Sequence, residues 1–230
     1  MKNPNQPLHH AFSLNGLSSG FTLIEIMVVI VIISILMTAG VMGLKNLSAG
    51  KGTSSAISNC EALFNEARTI AVAKRCKVRV LVDKNDINSG SYLTRVVIAE
   101  QKSDENGDPI DNEWLLSSRA YQLPDATYFS LEYSKLHDGS DLPEFNLAGE
   151  NVSSNYQGRY LYYEFNDEGL FANPGASFIL GAGIRPKGQN PRFAKSSALD
   201  LAGFVIWKNG RTSSYRNPEH MDIDPSKKNF

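Results

Sequence analysis

Apolar residues are gathered most densely at positions 21–44, FTLIEIMVVIVIISILMTAGVMGL, where the only charge is Glu25 and there is no proline. As a helix this segment is about 36 Å long, enough to cross a hydrocarbon core of about 30 Å. A run of this length in a chain of 230 residues reads as a membrane span rather than a core helix. A cleavable secretory signal is shorter and is cut after its apolar run, and an acid near the start is foreign to one. A carboxylate inside such a segment costs about 2.5–3.5 kcal/mol even on lenient insertion scales. Glu25 therefore calls for a partner.

Beyond residue 44 the pattern changes twice. Positions 48–55 are rich in Gly, Ser and Thr, which predicts fraying or a bend. Ile57, Cys60, Phe64, Ala67 and Ala71 then recur at helical spacing, with Leu63 and Ile70 widening the stripe. Such a half-apolar helix packs on a sheet. From Lys77 the period becomes two, with Val78, Val80 and Val82 on one face. Further strands are expected at 92–100, 126–133, 159–165, 177–181 and 204–208, the last turning through Asn209-Gly210 into 211–216. Asp167-Glu168-Gly169 and Asn173-Pro174-Gly175 mark turns. Residues 135–158 and 185–197 read as loops and 217–230 as a polar tail. The fold class is α+β: a long N-terminal helix packed on an antiparallel sheet.

Charge and candidate chemistry narrow the function. The net charge of −1 gives no sign of a polyanion partner. Cys60 and Cys76 have neither C-x-x-C nor zinc spacing, so one disulfide or two buried thiols both stay open. Gly16-Leu17-Ser18-Ser19-Gly20 has the letters of a nucleophile elbow but lacks the preceding strand. None of His9, His10, His137 and His220 has a metal-like i, i+4 partner. Asp104, Asn106 and Asp108 with Glu113 suggest oxygen ligands, yet Pro109 stands where a calcium loop needs glycine, and a solvated turn is the better reading. Arg185, Lys187, Arg192 and Lys195 make the second loop basic. Without interleaved aromatics an ordinary solvated loop outranks nucleic-acid contact at Arg185, Arg192 and Lys195. No catalytic constellation, metal site or cofactor motif emerges, and the chain does not read as an enzyme.

The segment before the apolar run, MKNPNQPLHHAFSLNGLSSG, is polar, holds two prolines and looks like a disposable leader. Cutting between Gly20 and Phe21 would create an α-amine of pKa about 8. Paired with Glu25 of a neighbouring copy, that amine would offset two charges that are each costly alone, and the pair would set the axial register between helices. Gly20-Phe21-Thr22-Leu23-Ile24-Glu25 ahead of an apolar helix resembles the prepilin processing motif of type IV pilins and type II secretion pseudopilins. The resemblance implies a prepilin peptidase that cuts after Gly20 and methylates Phe21, with Glu25 as the assembly carboxylate. It also implies other pilin or pseudopilin subunits as partners, and a single pass of the bacterial inner membrane with a periplasmic head. Phe165-Asn166-Asp167-Glu168-Gly169, the later Val205-Ile206-Trp207-Lys208-Asn209-Gly210-Arg211 and Glu66-Ala67-Arg68 are similar to the GspH and FimT class of minor pseudopilins and minor pilins. The domains so implied are a leader (1–20), an assembly helix (21–44), a stem helix (45–76), a β head (77–216) and a tail (217–230). A minor subunit that binds DNA during uptake is the alternative, as is a membrane-anchored periplasmic protein of other function.

Overall fold

The computed structural model describes residues 21–117, 119–193 and 200–215, with the side chains of 38–51 left out. The leader, with His9, His10 and the elbow-like Gly16–Gly20 run, lies outside the described residues, as do Lys195 and the tail with His220. The chain divides into two compact units, Met1–Leu44 and Lys45–Phe230. One helix, α1 (Leu23–Lys74), contributes to both.

In the first unit the apolar side chains of residues 21–37 are exposed on every face of the helix, the large ones by 45–79 %. Leu, Ile, Val and Met surround the axis, so no orientation against a single neighbouring layer could bury them all. Among the described residues no helix is long and apolar enough to cross a membrane. The described side chains of the apolar run end at Met37.

In the second unit α1 has a one-sided pattern. Ile57, Cys60, Phe64, Ala67 and Ala71 are all buried, with Leu63 and Ile70 packed at the flanks. The bend expected at 48–55 is absent, and the helix continues through it. Within that stretch Thr53 is wholly buried and Gly52 lies against Pro124 and Thr127. Tertiary packing there outweighs the roughly 1 kcal/mol that glycine costs a helix.

The helix leads into β1 (Val78–Asp83), β2 (Arg95–Ser103), β3 (Pro109–Leu116), β4 (Tyr121–Gln122), β5 (Thr127–Phe129), β6 (Glu144–Leu147), β7 (Gly158–Phe165), β8 (Ala176–Ala182), β9 (Leu201–Ile206) and β10 (Thr212–Tyr215). One sheet runs β3-β2-β1-β7-β6 with β4 paired to β2, and the other runs β10-β9-β8-β5. Every strand pair is antiparallel. Val78, Val80 and Val82 turn to the main core, and Val80 stands opposite both Ile98 and Tyr163. Phe64 sits at the centre, edge-on to Tyr163, Phe178 and Phe204 with centroids 5.0–5.4 Å apart. The other face of the first sheet carries a smaller cluster including Leu81, Trp114, Leu147 and Tyr160.

Several boundaries differ from the sequence expectation, each for a local reason. β2 begins at Arg95 rather than 92, because Leu93 has φ +56° and Thr94 closes a turn on Ser91. The strand expected over 126–133 stops at Phe129, where Ser130 accepts from the Tyr133 and Ser134 amides and folds the chain back. β9 occupies 201–206, earlier than 204–208, since Trp207 already belongs to the turn. Three strands were hidden, among them the two-residue β4 beside β2. β3 follows the Asp104–Asp108 turn directly, with only Trp114 buried. β6 lies inside the expected 135–158 loop, which also holds a short 3-10 turn at Ser154–Tyr156.

The turn chemistry near the end of the head has a packing cause. Gly169 and Gly210, each with φ +73°, close over Arg68 of α1. A Cβ on Gly210 would fall 2.6 Å from Arg68 Cδ and 2.9 Å from the Gly169 oxygen, the same oxygen that accepts from Arg68 Nε at 3.3 Å. Helix, β7–β8 turn and β9–β10 hairpin are thereby fastened at one point.

The disulfide reading of the two cysteines is corrected: both are free and buried. Cys60 lies inside α1 and Cys76 two residues past its end. At 1.5 Å rise per residue the helix alone separates them by about 20 Å, against a Cα limit near 7 Å for a bridge.

Candidate functional site

The start of α1 is built by two side chains that serve each other. Thr22 Oγ1 accepts from the Glu25 amide at 3.3 Å, and the Thr22 amide donates to Glu25 Oε2 at 3.4 Å. This is a reciprocal capping box, Thr-x-x-Glu, which satisfies two of the amides that a helix N-terminus leaves orphaned. The Thr22 carbonyl accepts from the Glu25 and Ile26 amides at 3.1 and 3.3 Å. The helix dipole favours a negative charge in this first turn, by about 0.3–1 kcal/mol. Glu25 is exposed, and its Oε1 has no protein partner among the described residues. The arrangement presents one free carboxylate oxygen at the head of an uncharged apolar helix, open to a cation from outside. Gly20 lies outside the described residues, whereas Phe21 is 78 % exposed beside the capping box.

The basic residues of the second loop have different occupations. Arg185 directs its guanidinium inward, donating to the Ser89 and Tyr92 carbonyls at 2.7 and 3.1 Å. Arg192 is exposed, and its backbone pairs with Ile184 in an isolated bridge. Lys195 lies outside the described residues.

The acidic turn also has a structural occupation. Asp104 Oδ1 accepts from the Asn106 and Asp108 amides at 2.8 and 2.9 Å. The Asp108 amide heads the causes that hold this carboxyl below its ordinary range. Glu113 pairs with Lys102 at 2.7 Å on the adjacent strand. His137 packs beneath Gly175, where a Cβ would come within 3.0 Å of its ring. Among the described residues no three His, Cys, Asp or Glu side chains gather as metal ligands would. Burial pushes both thiols up, the more deeply enclosed Cys60 furthest, so neither is a ready nucleophile.

Sequence reasoning missed Thr22 as the partner of Glu25, although Thr-x-x-Glu ahead of an apolar run is a readable capping signal. It also missed a cavity in the head, whose lining comes from four separated stretches of chain and has no local signature.

Residues 17–41 match the prokaryotic N-terminal methylation motif. The chain thus carries the leader-processing signature of prepilin-like proteins. Among solved structures, two of the type II secretion minor pseudopilin EpsH of Vibrio cholerae are similar. One has 15 % identity, covers 71 % of this chain and 93 % of that one, and gives a TM-score of 0.39. The other has 12 % identity, covers 76 % and 98 %, and gives 0.40. The type IV minor pilin FimU of Pseudomonas aeruginosa is similar at 12 % identity over 76 % of this chain and 91 % of that one, with a TM-score of 0.34. No curated protein sequence matches.

Proposed function

We propose that this chain is a minor pilin or minor pseudopilin, a structural subunit of the GspH and FimT class. A prepilin peptidase cuts it between Gly20 and Phe21 and methylates Phe21. Residues 21–44 hold it in the bacterial inner membrane until it joins a type IV pilus or type II secretion pseudopilus. The observation that carries this reading is the sequence Gly20-Phe21-Thr22-Leu23-Ile24-Glu25, with its capping box, opening a helix that is apolar on all sides and unburied by its own chain. An all-round apolar helix is stable only inside lipid or among copies of itself. Cleavage would place a cation at Phe21, and the open Oε1 of Glu25 on a neighbouring subunit is the acceptor it needs. The head of residues 77–216, its core completed by the 56–71 stripe of α1, supplies contacts to other subunits, a mechanical role without catalysis.

Mass spectrometry of the mature protein from a host with the peptidase tests this. The expected N-terminus is N-methylated Phe21; a chain that retains Met1 in that host, or one cut elsewhere, defeats the reading. The DNA-binding alternative is weakened because the guanidinium of Arg185 is committed to two backbone carbonyls.

A further inference from the structure

The head contains a cavity of about 540 Å³, formed where the end of β1, residues 131–142, β7 and residues 189–192 meet. It is independent of the N-terminal motif and does not rest on the filament reading. Leu131, Leu142 and Leu161 give it an apolar lining, and the last two are almost fully buried. Lys84, Lys135 and Arg192 supply cations. The guanidinium of Arg192 has no side-chain partner among the described residues.

The two lysines are held only by carboxylates that sit in water. Lys135 pairs with Asp141, whose side chain is 84 % exposed, and Lys84 pairs with Glu144 at 2.8 Å, 48 % exposed. Pairs whose carboxylate stands in water contribute little, so an incoming carboxylate can replace them at small cost. The hydrogen bond and charge of Lys135 hold Asp141, and those of Lys84 hold Glu144, below the ordinary carboxylate range, so both pairs are formed as ions. The cavity also carries an amide donor. Asn190 Oδ1 accepts from the Tyr92 hydroxyl at 2.9 Å, which orients its Nδ2 away from that bond and leaves it without a partner among the described residues.

We infer that this cavity is a docking site for a short acidic peptide segment of a partner protein, one in which apolar and carboxylate side chains alternate. Leucine-sized groups meet the apolar lining, carboxylates meet Lys84, Lys135 and Arg192, and a peptide carbonyl meets Asn190. A nucleic-acid backbone fits less well. Among the described residues no aromatic side chain lines the cavity for bases to stack on, and its volume admits a few side chains rather than a strand.

Methyl NMR of the full chain in detergent micelles tests the assignment. The probe is an acetylated, amidated tetrapeptide of alternating leucine and acidic residues, and the control is its carboxamide counterpart. The acidic peptide is expected to shift the Leu131, Leu142 and Leu161 methyls saturably, with the carboxamide peptide about tenfold weaker, as for loss of charge-assisted contacts. The Lys135→Gln/Arg192→Gln variant is expected to lose about tenfold in affinity while its remaining spectrum stays unchanged. Arg192→Gln alone alters only an exposed side chain and gives a second reading in a folded protein. Equal binding of both peptides, or undiminished binding by both variants, overturns the proposal. So does a single-stranded oligonucleotide or an anionic phospholipid vesicle that shifts the same methyls at lower concentration than the peptide.

Discussion

The two stretches of α1 share one secondary structure and have opposite hydrophobic logic. From Phe21 to Met37 apolar side chains surround the axis and stay exposed; from Ala56 to Ala71 they occupy one stripe and are buried almost completely. The stripe is completed by the chain's own sheets, with Phe64 meeting aromatic side chains from both. Among the described residues the all-round segment has no such complement. On the proposed function the contrast separates what the chain does for itself from what it needs others to do: the stripe stabilises a head, and the apolar segment would stabilise an assembly.

The largest effect is expected from separating these roles at Glu25. Removing one member of a pair that is buried in the assembled state typically costs about 3–5 kcal/mol. Glu25→Ala should therefore lower filament incorporation by about a hundredfold or more, while circular dichroism and thermal melting of the head remain unchanged. A variant that incorporates normally would show that the acid serves only its own helix cap. Phe64→Ala addresses the other region. Truncating a buried phenylalanine costs about 3–5 kcal/mol, so the melting temperature of the head should fall strongly while cleavage before Phe21 proceeds at the parental level. Loss of cleavage in that variant would mean that the two regions are coupled.

Smaller effects sharpen the same contrast. Thr22→Ala removes one half of the capping box, worth about 1 kcal/mol, and should increase amide exchange in the first turn without moving the melting temperature of the head. The smallest effect is expected at Glu144, whose carboxyl is held down by the hydrogen bond and charge of Lys84. With the folded value below the unfolded one, its contribution is present above the ordinary carboxylate range and is lost as pH falls through the lowered value. Glu144→Gln should thus lower the melting temperature slightly at about pH 7, and the difference should shrink and disappear as the pH falls below the lowered value. A difference that grows on acidification would contradict the Lys84 pairing.

The sequence made some elements legible because a single period dominated. Every residue of the Ile57–Ala71 stripe is buried, and the valine alternation of β1 faces the core. β3 was hidden because Asp111, Asn112 and Glu113 are polar on both faces of an edge strand, and only Trp114 marks the buried side. β6 is four residues long, and the Phe145 and Leu147 alternation is too short to stand out from a polar loop. The N-terminal motif was readable as a unit, yet the partnership of Thr22 with Glu25 was not drawn from it. The fate of the cysteines could also have been read earlier, since helical spacing from Ile57 to Ala71 already puts Cys60 too far from Cys76. The peptide-sized cavity depended on long-range packing and lay beyond any local pattern.

The placement of the two thiols has a consequence for the order of folding and oxidation. In an unfolded chain Cys60 and Cys76 are close enough in sequence to join readily when an oxidant is present. Once joined, that loop could not straighten into α1, and the stripe could not reach its core. Folding must outrun oxidation, and a folded head then protects its sulfurs by enclosure. Alkylation of Cys60 by a small maleimide would accordingly report each transient opening of the core, giving the molecule a native sensor of its own unfolding.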